Sequence, residues 1–254
     1  MACYSLAYTK NETNRTLRLR TAILAKTKRT SLMYRLLLIP FYFVSFLPQG
    51  DKELVSRRSE TKIFIDGVLN EWKGCPSVII RDKFRKKSTN NLSIQTMWNK
   101  QYLYIAFNVA DSNLQAKQTV PDHPELYLDD MVEFLLDTKN DKDSCWDADD
   151  IVYHINLLSQ KKDDRGGNDC KTNATWNGRA KYAVKLNGTL NDTTDIDGGY
   201  TVEVAIWWRE LGIKPAVGVR MGVNFANGDN GKLFDWVGAS PFRSPFMFGD
   251  LVLN

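Results

Sequence analysis

Glu133 sits among Val132, Phe134 and Leu136, and His154 sits among Ile151, Tyr153, Ile155 and Leu157. In an extended chain alternate side chains point to opposite faces, so these apolar residues face a core and the acid and imidazole face away from it. If the two segments pair across the 138–150 loop, a carboxylate acceptor and an imidazole become neighbours. That combination suits a ligand rich in hydroxyl groups, although an isolated Glu–His pair is an ordinary surface contact. Other chemistries find less support. His123 and His154 are the only histidines and no Gly-x-Ser-x-Gly elbow accompanies them, so a serine triad is not expected. Walker and dinucleotide fingerprints are absent. With no Cys-x-x-Cys spacing, a zinc site is not expected either. The loop carrying Asp141, Asp143, Asp147, Asp149 and Asp150 has carboxylates that a hard cation accepts, but not the spacing of an EF-hand, and no metal is assigned to it.

The elements that must position these residues are strands. From Thr61 onward, apolar and polar residues alternate over short runs separated by turns rich in Gly, Asn and Asp. The expected strands are Lys62–Asp66, Ser77–Arg81, Asn91–Trp98, Tyr102–Asp111, Asp130–Asp137, Ile151–Leu158, Ala180–Asn187, Tyr200–Trp207, Val219–Ala226, Leu233–Val237 and Gly249–Leu253. In the fourth, Leu103, Ile105, Phe107 and Val109 point one way and Tyr104, Ala106 and Asn108 the other. Trp208–Gly212 is expected to be one helical turn. Trp72 and Trp98 read as core residues, Trp207 and Trp208 as one core and one rim residue, and Glu203 as outward-facing. About ten strands without an amphipathic helix define an all-β fold: a two-sheet antiparallel β-sandwich of jelly-roll or immunoglobulin-like type.

Charge is unevenly spread along the chain. Residues 1–50 hold eight Lys/Arg against one acid, leaving 26 basic and 29 acidic residues in the remainder, a balance of −3. Nucleic acid is therefore not an expected partner of the folded part. Residues 1–50 read as a leader. Met33-Tyr34-Arg35 precedes an apolar run, Leu36 to Leu47, and a polar exit, the layout of a secretory signal peptide over 33–50 with Met33 as an alternative start. The run is shorter than the roughly 20 residues of a membrane span, so no stable span is expected and the protein reads as exported. Residues 51–60 read as a linker. Cys145 and Cys170 lie in polar loops on either side of one expected strand, where they could pair.

Four landmarks in order then carry a resemblance: Ile65-Asp66-Gly67-Val68-Leu69-Asn70-Glu71-Trp72; Trp98 with Tyr102-Leu103-Tyr104-Ile105-Ala106 and Asp111; Asp129 to Asp137 (DDMVEFLLD); and Gly198 to Trp207 (GGYTVEVAIW), with a terminal Phe248-Gly249-Asp250-Leu251. Together, over residues 61–254, they resemble the family 9 carbohydrate-binding modules. The resemblance implies a non-catalytic domain that binds polysaccharide or oligosaccharide and serves polysaccharide binding or catabolism. It implies a sugar ring held between two aromatic platforms at Tyr127 and Phe242, with Arg243 beside the second, and with Glu133 and His154 on the sugar's rim. His154 stands where the family's pattern has an arginine, which gives up a fixed fork of donors. No cofactor is expected; structural calcium is what the resemblance implies. Related sandwiches also hold haem, which here would need two axial ligands such as His154 with Met131 or Met221. A purely structural sandwich is the third alternative.

Overall fold

A computed structural model of the chain describes residues 52–81, 90–167, 170–238 and 243–254. The leader expected over residues 1–50, with its signal-like segment 33–50, lies outside the described residues. The described strands are β1 (Glu53–Arg58), β2 (Ser77–Arg81), β3 (Asn91–Trp98), β4 (Tyr102–Ala110), β5 (Met131–Asp137), β6 (Asp150–Asn156), β7 (Lys161–Gly166), β8 (Thr172–Asn173), β9 (Lys181–Asn187), β10 (Gly199–Trp207), β11 (Arg220–Asp229), β12 (Lys232–Asp235) and β13 (Gly249–Leu253). A single helical turn, α1 (Trp208–Leu211), follows β10. It ends where Gly212 adopts φ 69°, the left-handed conformation that glycine tolerates without a Cβ penalty.

One layer runs β8-β7-β6-β5-β11-β13-β1, with β12 on β11; the other runs β1-β3-β4-β10-β9, with β2 on β3. The strand common to both is β1. Its first four residues pair parallel with Asp250–Leu253 of β13, and its last two with Met97 and Trp98 of β3. A strand that changes sheets in this way forms a corner of the sandwich.

The inner faces are supplied by the alternation expected. Leu103, Ile105, Phe107 and Val109 of β4 meet Val132, Phe134 and Leu136 of β5 and Ile151, Tyr153 and Ile155 of β6 in one core. Phe107 bridges the layers, with its ring 6.1 Å from Phe134 and 6.0 Å from Phe225. Trp98 and Trp208 are buried in this core, Trp72 is buried in a smaller one, and Trp207 is 37% exposed on the rim.

Three expectations are corrected. Residues 51–60 are not a linker, because 53–58 form β1. Lys62–Asp66 is not a strand but part of an irregular segment, 61–75, lying on the outer face of the second layer. The strands number thirteen among the described residues rather than about ten; β7 and β8 fall in a polar stretch expected to be loop. The inner face of β7 is charged. Lys161 Nζ sits 2.6 Å from Asp163 Oδ2 and donates to the Gly178 carbonyl at 2.7 Å, so these buried charges are paired and hydrogen-bonded.

Candidate functional site

Glu133 and His154 lie directly opposite each other in the antiparallel ladder of β5 and β6. Both point to the outer face of the first layer, as the alternation requires, yet both are buried, at 0% and 2% exposure. The outer face is covered there. Leu135 and Val152 from the same strands pack with Phe248 and Trp146 into a small separate core. The covering segments 138–149 and 243–248 are joined by a backbone hydrogen bond from Phe246 to Asp143 at 3.2 Å and by Lys142, whose Nζ donates to the Phe248 carbonyl at 2.7 Å. A Cys145–Cys170 disulfide, with Cα atoms 5.1 Å apart, ties the first covering segment to the stretch after β7.

Arg243 comes from the second covering segment and completes a triad. Its Nη2 lies 3.2 Å from Glu133 Oε1 and 3.0 Å from His154 Nε2, and His154 Nε2 lies 3.0 Å from Glu133 Oε1. His154 Nδ1 faces the Lys162 carbonyl at 3.3 Å. Burial pushes the Glu133 carboxyl up, but His154 and Arg243 together outweigh it and hold it below its ordinary value. The second carboxylate oxygen, Glu133 Oε2, is buried without a hydrogen-bond partner among the described residues. A buried ionised acceptor left unpaired costs free energy until a donor reaches it.

The remaining expected site residues stand differently. Tyr127, in the single 3₁₀ turn Leu126–Leu128 before β5, is 47% exposed, and it is not joined to Glu133 or His154 by any hydrogen bond or ring contact among the described residues. Phe242 lies outside the described residues. The haem pairing with Met221 is corrected: Met221 is in the inner core while His154 is on the outer face, so the two cannot flank one iron.

Carboxylates cluster in two further places. Asp111, Asp130 and Asp229 are all buried, with oxygens within 4.8 Å of one another, a cluster that sequence spacing did not reveal because its members come from three distant loops and strand ends. Both Asp130 oxygens accept backbone N–H groups, from Gln115 at 2.7 Å and Asn230 at 2.8 Å. Burial, with Asp111 and Asp229 alongside, nevertheless pushes its carboxyl up to about 7. The acidic loop forms two smaller groups, Asp137/Asp141/Asp149 and Asp141/Asp143/Asp147, and beside them burial pushes Asp150 up to about 8. These all-oxygen donor sets fit a hard cation of the calcium type.

A two-layer sandwich that holds a Glu–His–Arg triad beneath covering segments joins a rigid scaffold to a cluster of hydrogen-bonding groups. The family model described as carbohydrate family 9 binding domain-like matches residues 65–254, and the chain belongs to that family. It is 29% identical over 200 residues to an endo-1,4-beta-xylanase A of Thermotoga maritima, covering 74% of this chain and 17% of the enzyme. It is 32% identical over 200 residues to an endo-1,4-beta-xylanase A of Thermoanaerobacterium saccharolyticum, covering 75% of this chain and 15% of that enzyme. The chain thus spans only a sixth or so of these relatives, the binding-module region, which accords with a non-catalytic domain. A family 9 module from Caldicellulosiruptor kristjanssonii, solved with cellotriose, superposes with a TM-score of 0.61 at 23% identity, covering 80% of this chain and 94% of that one; the same module solved with glucose gives 0.60. Among the described residues no helix is long and apolar enough to cross a membrane.

Proposed function

We propose that the triad of Glu133, His154 and Arg243 contacts a sugar ring, and that the domain serves as a non-catalytic module of an exported protein acting on polysaccharide. The observation that carries this reading is Glu133 Oε2, a buried carboxylate oxygen with no partner among the described residues, beside two further hydrogen-bonding groups. A sugar hydroxyl supplies the missing donor, and charge-assisted hydrogen bonds of this kind are the stronger ones. Tyr127, exposed at the start of β5, is available as an aromatic platform, and Phe242 is proposed as the second. The cellotriose and glucose complexes of the related module name the sugars to try first. Binding of glucose and cellotriose measured by titration calorimetry tests the reading. Wild type should bind, Glu133→Gln should bind at least about tenfold more weakly, and Tyr127→Ala should be weakened too. Identical affinity in wild type and Glu133→Gln would remove the triad from consideration. Asp111, Asp130 and Asp229 are proposed to hold structural calcium, with no part in contacting sugar.

A further inference from the structure

The opposite layer carries a second surface of distinct chemistry. Trp207 ends β10 and Tyr102 begins β4; the two are cross-strand partners on the outer face, with ring centroids 5.4 Å apart in an edge-to-face arrangement. Tyr104 continues the row, 5.7 Å from Tyr102. Trp207 is one of the large hydrophobic side chains left exposed. Two cations rest on these rings. Arg209 lies over Trp207 with its guanidinium carbon 5.0 Å from the centroid. Lys181 lies 5.3 Å from the Tyr102 centroid and donates to the Tyr102 hydroxyl at 3.2 Å. Among the described residues neither cation has a carboxylate within ion-pair distance. Glu210, the acid next to Arg209, is turned away, bonded to the Tyr153 hydroxyl and the Arg179 backbone N–H. Lys139, Lys142 and Arg220 on the other layer are, by contrast, each paired with a carboxylate.

We infer that Trp207, Tyr102, Lys181 and Arg209 form a second glycan-contacting surface, whose occupant is a uronate-bearing polysaccharide chain. A uronic acid presents both required features in one residue: apolar C–H faces that lie against an aromatic ring, and a carboxylate at the ring's edge for an adjacent cation. A neutral sugar would use the rings and leave both cations without a new partner. Duplex DNA, with one charge per roughly 1.7 Å, fits two cations poorly on a folded part whose residues 51–254 carry a balance of −3. This surface shares no residue with the Glu133 triad, so the two stand or fall separately.

Affinity electrophoresis of the full chain through gels containing polygalacturonate, hydroxyethylcellulose or DNA tests the inference. Wild type should be retarded by polygalacturonate, and Glu133→Gln, which lacks the first site's contribution, should be retarded by polygalacturonate and much less by the other two. Trp207→Ala should lower the apparent affinity for polygalacturonate about tenfold, and the Lys181→Ala/Arg209→Ala double variant should do the same. On polygalacturonate Glu133→Gln should be retarded as wild type. The double variant, which changes only exposed side chains, decides the matter if Trp207→Ala fails to fold. Absence of retardation of wild type by polygalacturonate, unchanged retardation of the double variant, or retardation of Glu133→Gln by hydroxyethylcellulose or DNA equal to that by polygalacturonate would each overturn the inference.

Discussion

Glu133 is a carboxylate kept ionised in the dark of the protein by two neighbours that differ in exposure. His154 is buried with it, whereas the Arg243 side chain is 43% exposed. Removing Arg243 therefore withdraws a partly solvated partner, and the cost is set well below that of a fully buried one, at about 1–2 kcal/mol. The sign with pH follows from the lowered carboxyl. A group depressed in the fold contributes stability above its unfolded value, here the ordinary 4.5, and loses it as pH falls through the folded value. Arg243→Ala should therefore be less stable than wild type at pH 7, and the gap should narrow as pH drops below that value, where Glu133 takes up its proton in both proteins. Urea unfolding at pH 7 and at successively lower pH measures this; a gap that does not narrow at any pH down to the acid transition would mean that Arg243 acts through packing alone. The pairing of Glu133 with His154 was legible in the sequence, because strand alternation dictates facing and an antiparallel hairpin dictates the partner. Their burial was not. It depends on 138–149 and 243–248 folding over the outer face, and a residue's neighbours along its own strand carry no record of a cover brought from elsewhere.

At the level of elements the same lesson recurs on the other layer. Alternation turns Glu203 outward, and outward it goes, but beneath the 61–75 segment. Its carboxylate accepts the N–H groups of Asp66 at 3.0 Å and Gly67 at 2.7 Å, and the Trp72 indole N–H at 2.7 Å. One side chain thus explains three residues of the Ile65–Trp72 landmark. Gly67 adds a fourth constraint, with φ 80° and space so tight that a Cβ would lie 2.8 Å from Lys185 Cβ. Burial raises the Glu203 carboxyl, the reverse of Glu133, since here all partners are neutral donors. Glu203→Ala should leave three donors unsatisfied and cost about 2–4 kcal/mol, read by chemical denaturation, while glucose and cellotriose affinity stays unchanged. Loss of sugar binding without loss of stability would contradict this structural role. The strand β1 escaped the sequence for a related reason. Only Leu54 and Ser56 of its six residues are buried, and one of those is polar, because its two halves serve different sheets. In β7 the buried positions include Lys161 and Asp163, whose mutual pairing lets a polar stretch occupy an inner face.

The molecule as a whole carries a tension between burial and charge at Asp111, Asp130 and Asp229. Asp130 is surrounded by two backbone N–H donors, an arrangement that serves the ionised form, yet burial and two neighbouring carboxylates favour the neutral one. A divalent cation, as proposed for this cluster, would resolve that conflict by bringing positive charge to the ionised form. Without one, a carboxyl whose folded value near 7 lies above its ordinary 3.8 binds its proton more tightly in the fold than in the unfolded chain. Its stabilising contribution is then complete below about 4 and is lost as pH rises through 7, and Asp150, pushed up to about 8, acts in the same direction. In chelator the melting temperature should therefore fall between pH 5 and pH 8.5. If the proposed site takes calcium on its ionised carboxylates, saturating calcium should raise the melting temperature most at pH 8.5 and least at pH 5, flattening the profile. Asp130→Ala removes the central carboxylate of one cluster and should abolish most of the calcium response at pH 8.5 while leaving the smaller contribution from the Asp150 side. A chelator profile that is flat from pH 5 to 8.5, or a calcium response independent of pH, would show that these carboxylates are neutralised by some other means.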